Sequence, residues 1–182
     1  MEKLAIAEVV SITPIGLGAR VCIDLIDELD ALEGMLVGNT GNGYLSVLSE
    51  NRSTATYPPR VFRLNGGAIH HYIYLGEGKT AYLSELKAGL EIPIWSNDGV
   101  RKIAIGRVKV EKRSFLRVVC RVEGTNQEVS ATLQEADSVH VRTADGEAKP
   151  VLELKAGDRL FCYPDQPGRH LGEKIEEEIE EY

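Results

Sequence analysis

Arg60, Arg63, Asn65, His70 and His71 fall within one short stretch of chain, and their types suit the handling of a small polar molecule. An arginine offers a planar fork of donors matched to a carboxylate. Read as a strand, Val61 to Leu64 places Arg63 on the same face as Val61, an otherwise inward phase, and Arg60 on the opposite one. Arg63 is therefore a ligand for an acidic group or one half of a structural ion pair. Asn65 opens a run of small residues, Asn65-Gly66-Gly67-Ala68, where its amide reaches a ligand hydroxyl or caps its own turn. Neighbours in a strand point to opposite faces, so His70 and His71 do not converge on one metal, and one of them at most faces a site. His70 is assigned the site, as a proton carrier or else as a satisfied core histidine, and His71 is expected to be exposed.

Other ionisable residues have plainer readings. His140 and His170 have no carboxylate at suitable spacing and read as structural, while Glu50, Glu85 and Glu111 read as turn acceptors or ion-pair partners. Cys22, Cys120 and Cys162 are odd in number and widely separated, which argues against a disulfide framework and against a zinc site. Buried thiols are expected, and no metal site is assigned.

The elements that must position these residues are short apolar runs broken by Gly, Asn and Asp turns, the pattern of a mainly β fold with small barrel or sandwich-like units and very little helix. Leu4 to Thr13 and Arg20 to Ile26 read as two strands joined by Pro14-Ile15-Gly16-Leu17-Gly18, followed by a single helical turn over Ile26 to Glu33. Met35 to Val37 and Tyr44 to Leu48 form a hairpin around Gly38-Asn39-Thr40-Gly41-Asn42-Gly43. Val61 to Leu64 and Ile69 to Leu75 flank the small-residue break. The apolar phase changes at Gly106, where a β-bulge corrects it. Hairpins are expected at Asn97-Asp98-Gly99, Gly124-Thr125-Asn126 and Asp145-Gly146. Val129, Ala131 and Leu133 predict a buried face, with Ser130, Thr132 and Gln134 on a polar one. The C-terminal run 173–182 fits a helix or a strand and is read as strand, its glutamates forming a solvated edge.

At 182 residues, with 43% apolar and 27% charged residues, the chain is expected to fold as a single β-rich unit. Leu83 to Gly89 is echoed by Val151 to Gly157, which suggests repeated subunits around 79–113 and 147–181. A net charge of -7 argues against general nucleic-acid binding. No apolar run approaches a membrane span, and Met1 to Val10 lacks the cationic start of a signal peptide, so a soluble, cytoplasmic protein is expected.

The segments Gly34 to Asn39, Gly43-Tyr44, Ser49-Glu50 and Arg60 to His70 resemble, in order and spacing, the most recognisable stretch of class II (archaeal-type) 3-dehydroquinate synthases. Tyr82 to Gly89, Gly106 to Arg113, Thr132 to Gln134 and Gly168 to Gly172 extend the match through the β-rich C-terminal part of that family. The resemblance implies NAD-dependent oxidative deamination and cyclisation of an amino-dideoxy heptulosonate to 3-dehydroquinate, a step of aromatic amino acid biosynthesis. It implies a sugar acid or related carboxylate as ligand, bound by Asn39, Arg60, Arg63 and Asn65, with His70 as the catalytic group. The loop differs from the family at Thr40-Gly41-Asn42, and His71 stands where a small residue is usual. The family's N-terminal α/β region has no counterpart here, and Gly38 to Gly43 precedes a strand rather than a helix, so no dinucleotide loop is recognised. The NAD site and any imine-forming lysine are expected in that other half, in preference to Lys87 or Lys109. Two functions follow: an enzyme completed by a separate N-terminal subunit, or a non-catalytic β module for ligand binding or assembly. The loss of a partner domain predicts self-association in either case.

Overall fold

β-Branched residues in alternation and glycine-bearing turns give this chain twelve strands in one antiparallel network. The computed structural model describes residues 4–167, 169–170, 173–174 and 178–182. The strands are β1 (Ala5–Leu25), β2 (Gly34–Gly38), β3 (Gly43–Leu48), β4 (Arg63–Ala68), β5 (Tyr72–Gly76), β6 (Lys79–Tyr82), β7 (Glu91–Ser96), β8 (Gly99–Val122), β9 (Glu128–Gln134), β10 (His140–Arg142), β11 (Ala148–Pro150) and β12 (Arg159–Pro164). The hydrogen-bonded path β3-β12-β1-β8-β7-β2 returns to β3, so it closes without a free edge. The β5-β6 hairpin extends it from β2, the β10-β11 hairpin from β3, and β4 and β9 pair with β1 and β8. One apolar cluster fills the interior, from Ala7 and Val9 through Val37, Leu45 and Ile73 to Leu160 and Cys162.

Helix is nearly absent, as expected: among the described residues it amounts to two 3-10 turns, Leu83–Glu85 and Val151–Glu153. The three expected hairpins are present at the β7-β8, β8-β9 and β10-β11 junctions. Gly106 is the extra residue between the paired Arg107 and Ile105, the bulge that the phase change predicts.

Four expectations need correction. Pro14 to Gly18 does not divide β1, because Ile15 bulges out, Gly16 takes φ 97°, and pairing with β8 resumes on either side. Ile26 to Glu33 is not helical; Leu29 is buried and its N–H donates to the Val61 carbonyl at 2.7 Å, so the segment is a loop sewn to its neighbour. Asn65 to Ala68 is strand rather than a break, and its glycines serve close approach: a Cβ on Gly66 would lie 2.8 Å from Leu83 Cδ1, and one on Gly67 2.4 Å from the Thr132 carbonyl oxygen. Among the described residues of the tail, Glu173–Lys174 is strand, paired with Arg169–His170, and 178–182 is irregular; residues 175–177 and Gly168, Leu171 and Gly172 lie outside the described residues.

The echoed segments adopt the same local geometry. Leu83 N–H donates to the His71 carbonyl at 2.9 Å, and Val151 N–H to the Val139 carbonyl at 2.8 Å. Gly89 and Gly157 take φ 94° and 96°, and their N–H groups reach Ile105 and Val9 at 2.8 and 2.9 Å. A bulge follows at each receiving strand, at Gly106 and at Val10.

Candidate functional site

The loop between β2 and β3 and the turn between β4 and β5 meet over β9. Asn39 is anchored there by its backbone N–H on the Ser130 carbonyl at 2.8 Å, and its side-chain amide donates to Ser130 Oγ at 3.1 Å. Its Oδ1 accepts from Thr132 Oγ1 at 2.7 Å and from His70 Nε2 at 2.8 Å. A carboxamide oxygen only accepts, so the His70 proton lies on Nε2 and the Nδ1 lone pair is left for a ligand. Loss of water around the ring lowers the His70 pKa, which favours the neutral, basic form near neutrality. An oriented neutral imidazole at an exposed turn can take up and return one proton.

His71 does the opposite of what its neighbour's position suggests. It is fully buried, not exposed, because the chain leaves β4 in a turn rather than a continuous strand. Its Nδ1–H donates to the Gly66 carbonyl at 2.7 Å, and its Nε2 accepts from the Thr132 N–H at 2.8 Å. Burial pushes its pKa down to about 3, so it stays neutral and clamps β4 to β9.

The polar residues of β9 extend this cluster inward. Ser130, Thr132 and Gln134 share the expected polar face, and that face is buried too. Gln134 Oε1 accepts from Arg20 Nη1 at 2.6 Å and from Asn65 Nδ2 at 2.8 Å. Asn65 Oδ1 in turn accepts from the Gly67 N–H at 3.2 Å, so both ends of its amide are engaged. Arg20 continues to Glu111 at 2.9 Å, and Glu111 is flanked by Arg113 at 2.8 Å and Lys109 at 3.6 Å.

Arg60 and Arg63 lie apart from the Asn39-His70 pair. Arg63 grips Asp24 with Nε and Nη2 at 2.8 and 3.0 Å, and Arg107 Nε adds a third contact at 2.8 Å. Burial raises the Asp24 pKa, but the two guanidinium groups outweigh it and hold the carboxyl below its ordinary range. Arg60 meets the buried Glu50 at 2.5 Å, and burial raises the pKa of Glu50 despite that partner. Of the two readings open for Arg63, the ion pair is the one its fork makes. An open cleft of about 450 Å³ lies beside Asp24, Phe62 and Arg107.

His140 is buried, with Nδ1 3.2 Å from the Ser138 carbonyl; the side chain of His170 lies outside the described residues. Cys22, Cys120 and Cys162 are buried free thiols pushed up to about 11, 12 and 12 by desolvation. Among the described residues no group of three or more His, Cys, Asp or Glu is placed to hold a metal. Gly38 to Gly43 joins two strands, and among the described residues no α-helix follows it. Sequence reasoning missed Thr132, Ser130, Gln134 and Arg20; the one available signal was the run of alternate polar residues on β9, which reads as solvent-facing until β4 covers it.

Residues 6–182 match the family model described as the 3-dehydroquinate synthase II C-terminal domain. The chain is 40% identical over 181 residues to a "3-dehydroquinate synthase homolog" of Aquifex aeolicus, covering 98% of this chain and 54% of that protein. It is 41% identical to a "3-dehydroquinate synthase" of Methanothrix thermoacetophila, over 97% of this chain and 48% of that protein. With its counterpart in Methanocella arvoryzae it shares 44% identity over 91% of this chain and 44% of that protein. No solved structure matches. The chain spans about half the length of the curated relatives it matches. With nearly every residue inside the family model, the chain belongs to the family of 3-dehydroquinate synthase II C-terminal domains.

Proposed function

We propose that this chain is the β-rich part of a class II 3-dehydroquinate synthase and that it works together with the family's N-terminal α/β part. The reaction is the NAD-dependent oxidative deamination and cyclisation of an amino-dideoxy heptulosonate to 3-dehydroquinate. The observation that carries the role of this half is the Asn39-His70 pair: a neutral imidazole with Nε2–H tied to a carboxamide and Nδ1 open. His70 takes a proton from, or returns one to, a hydroxyl or ammonium group of the sugar acid held at the turn. Thr132 and Ser130 fix Asn39, and Asn39 fixes the tautomer of His70. The buried Arg20-Gln134-Asn65 chain and the ion pairs of Arg60 and Arg63 hold β4 in place beneath the turn. NAD would supply the hydride acceptor for the amine-bearing carbon, and water would then release the nitrogen as ammonia. No loop among the described residues leads into an α-helix, and NAD is assigned to the N-terminal α/β part in this proposal. Exposed apolar side chains on the β1-β8 ribbon, Ile15, Leu17 and Val110, offer surface for that part or for a second copy of the chain.

The test supplies the N-terminal half of the Aquifex aeolicus relative in trans and follows NAD reduction. Turnover is expected with both halves together, and His70→Asn should lower kcat by about 100-fold while leaving the fold intact. Lack of turnover with both halves, or equal turnover by the variant, overturns the proposal.

A further inference from the structure

The loop that carries Asn39 also carries an occupied anion seat. Glu181, next to the C-terminal residue, returns to this loop, and its carboxylate is gripped at both oxygens: Gly41 N–H donates to Oε1 at 3.0 Å, and the Tyr72 hydroxyl donates to Oε2 at 3.2 Å. Asn42 Nδ2 holds the Glu181 main-chain carbonyl at 3.3 Å. Tyr72 is only 8% exposed. Desolvation, a hydrogen bond with Tyr82 and the facing carboxylate raise its pKa, so its hydroxyl stays protonated. Gly41 is needed for the approach, since a Cβ there would lie 2.8 Å from Glu181 Oε1 and 2.9 Å from Pro167 Cα. The loop is braced independently of the tail: Gln127 Nε2 donates to the Asn42 carbonyl at 2.5 Å, and the Asp165 N–H reaches the same oxygen at 2.9 Å.

We infer that the loop amide of Gly41 and the hydroxyl of Tyr72 form a binding seat for the carboxylate of a small organic acid, and that Glu181 is its tethered resident. The seat is two residues along the loop from Asn39, and Tyr72 is two residues on from His70. The inference stands on this geometry and does not rest on the chemistry proposed above. The two donors address the two oxygens of one planar group, a pattern suited to a carboxylate. The tether keeps the tail's carboxylate at an effective concentration of about millimolar, which keeps the seat occupied. A free acid enters by displacing it.

The experiment titrates the 182-residue chain with acetate and follows the Gly41 amide by NMR, in the wild type, in Glu181→Ala and in Glu181→Ala/Tyr72→Phe. In Glu181→Ala the Gly41 amide should shift saturably, with a midpoint at least about fivefold below that of the wild type. Adding Tyr72→Phe should raise that midpoint again, and phosphate at equal concentration should act more weakly than acetate. Dispersed amide spectra in all three proteins establish that each is folded. No acetate response in Glu181→Ala, the same midpoint in the wild type, or an equal response to phosphate overturns the inference. Neither result depends on NAD reduction, so the seat and the proposed reaction fail separately.

Discussion

The turn at His71 and the turn at Val139 have one backbone and two chemistries. Each carbonyl receives an N–H from the start of a 3-10 turn, at Leu83 or Val151, and each unit then runs to a left-handed glycine bonded to a long strand. Val139 is 1% exposed and lies in the apolar core, whereas the equally buried His71 spans β4 and β9 through two hydrogen bonds. Backbone pattern and apolar filling therefore suffice to build this corner. The polar ring at the first corner is additional, and it lies beneath the turn that presents His70. A fold does not require such a group, and a site that must hold one turn in register against another strand does.

Making the first corner resemble the second should have the largest effect. His71→Val leaves the Gly66 carbonyl and the Thr132 N–H buried without partners, and should destabilise the protein by about 3 kcal/mol in denaturant unfolding. It should also lower the order of the Asn39-His70 pair, seen as broadening of the His70 ring signals in NMR. An unchanged midpoint would mean that the imidazole is filler, as Val139 is, and that the two corners do not differ in kind.

Acid should separate the corners next. A histidine whose folded pKa lies near 3 favours the folded state when neutral, so its contribution is present above the ordinary histidine range. It is lost as pH falls from there toward the folded value. Stability should decline by about 1.4 kcal/mol per pH unit over that window. Asp24, whose pKa is also lowered, adds a loss of the same sign, but only below the ordinary aspartate range. Unfolding curves at successive pH values distinguish them: His71→Val should flatten the upper part of the slope and leave the lower part.

The strands, the three hairpins and the bulge at Gly106 were legible in the sequence because alternation and turn chemistry are local. The site was legible only in outline. Asn39 and His70 were identified and do meet, 2.8 Å apart. The inversion of His70 and His71 was hidden because it depends on where β4 stops, and β4 runs through Gly66 and Gly67 only because Leu83 and Thr132 lie too close to tolerate side chains there. Arg63 was placed on an inward face correctly in direction, but its partner Asp24 is 39 residues away and reached only through β1-β4 pairing. Non-local partners of this kind leave no trace in spacing.

The smallest effect is expected where the two corners agree. Gly89 and Gly157 have φ near 95° and nothing within 4 Å of an added Cβ, so substitution by alanine meets backbone strain and no clash. Each change should cost about 1 kcal/mol, by the steric penalty of the left-handed conformation alone. The two values should match within the error of chemical denaturation, because the hydrogen bonds to Ile105 and Val9 are equivalent. A clear inequality would place a difference in the backbone itself. The contrast between His71 and Val139 would then be part of a wider asymmetry rather than a polar insertion into otherwise equal corners.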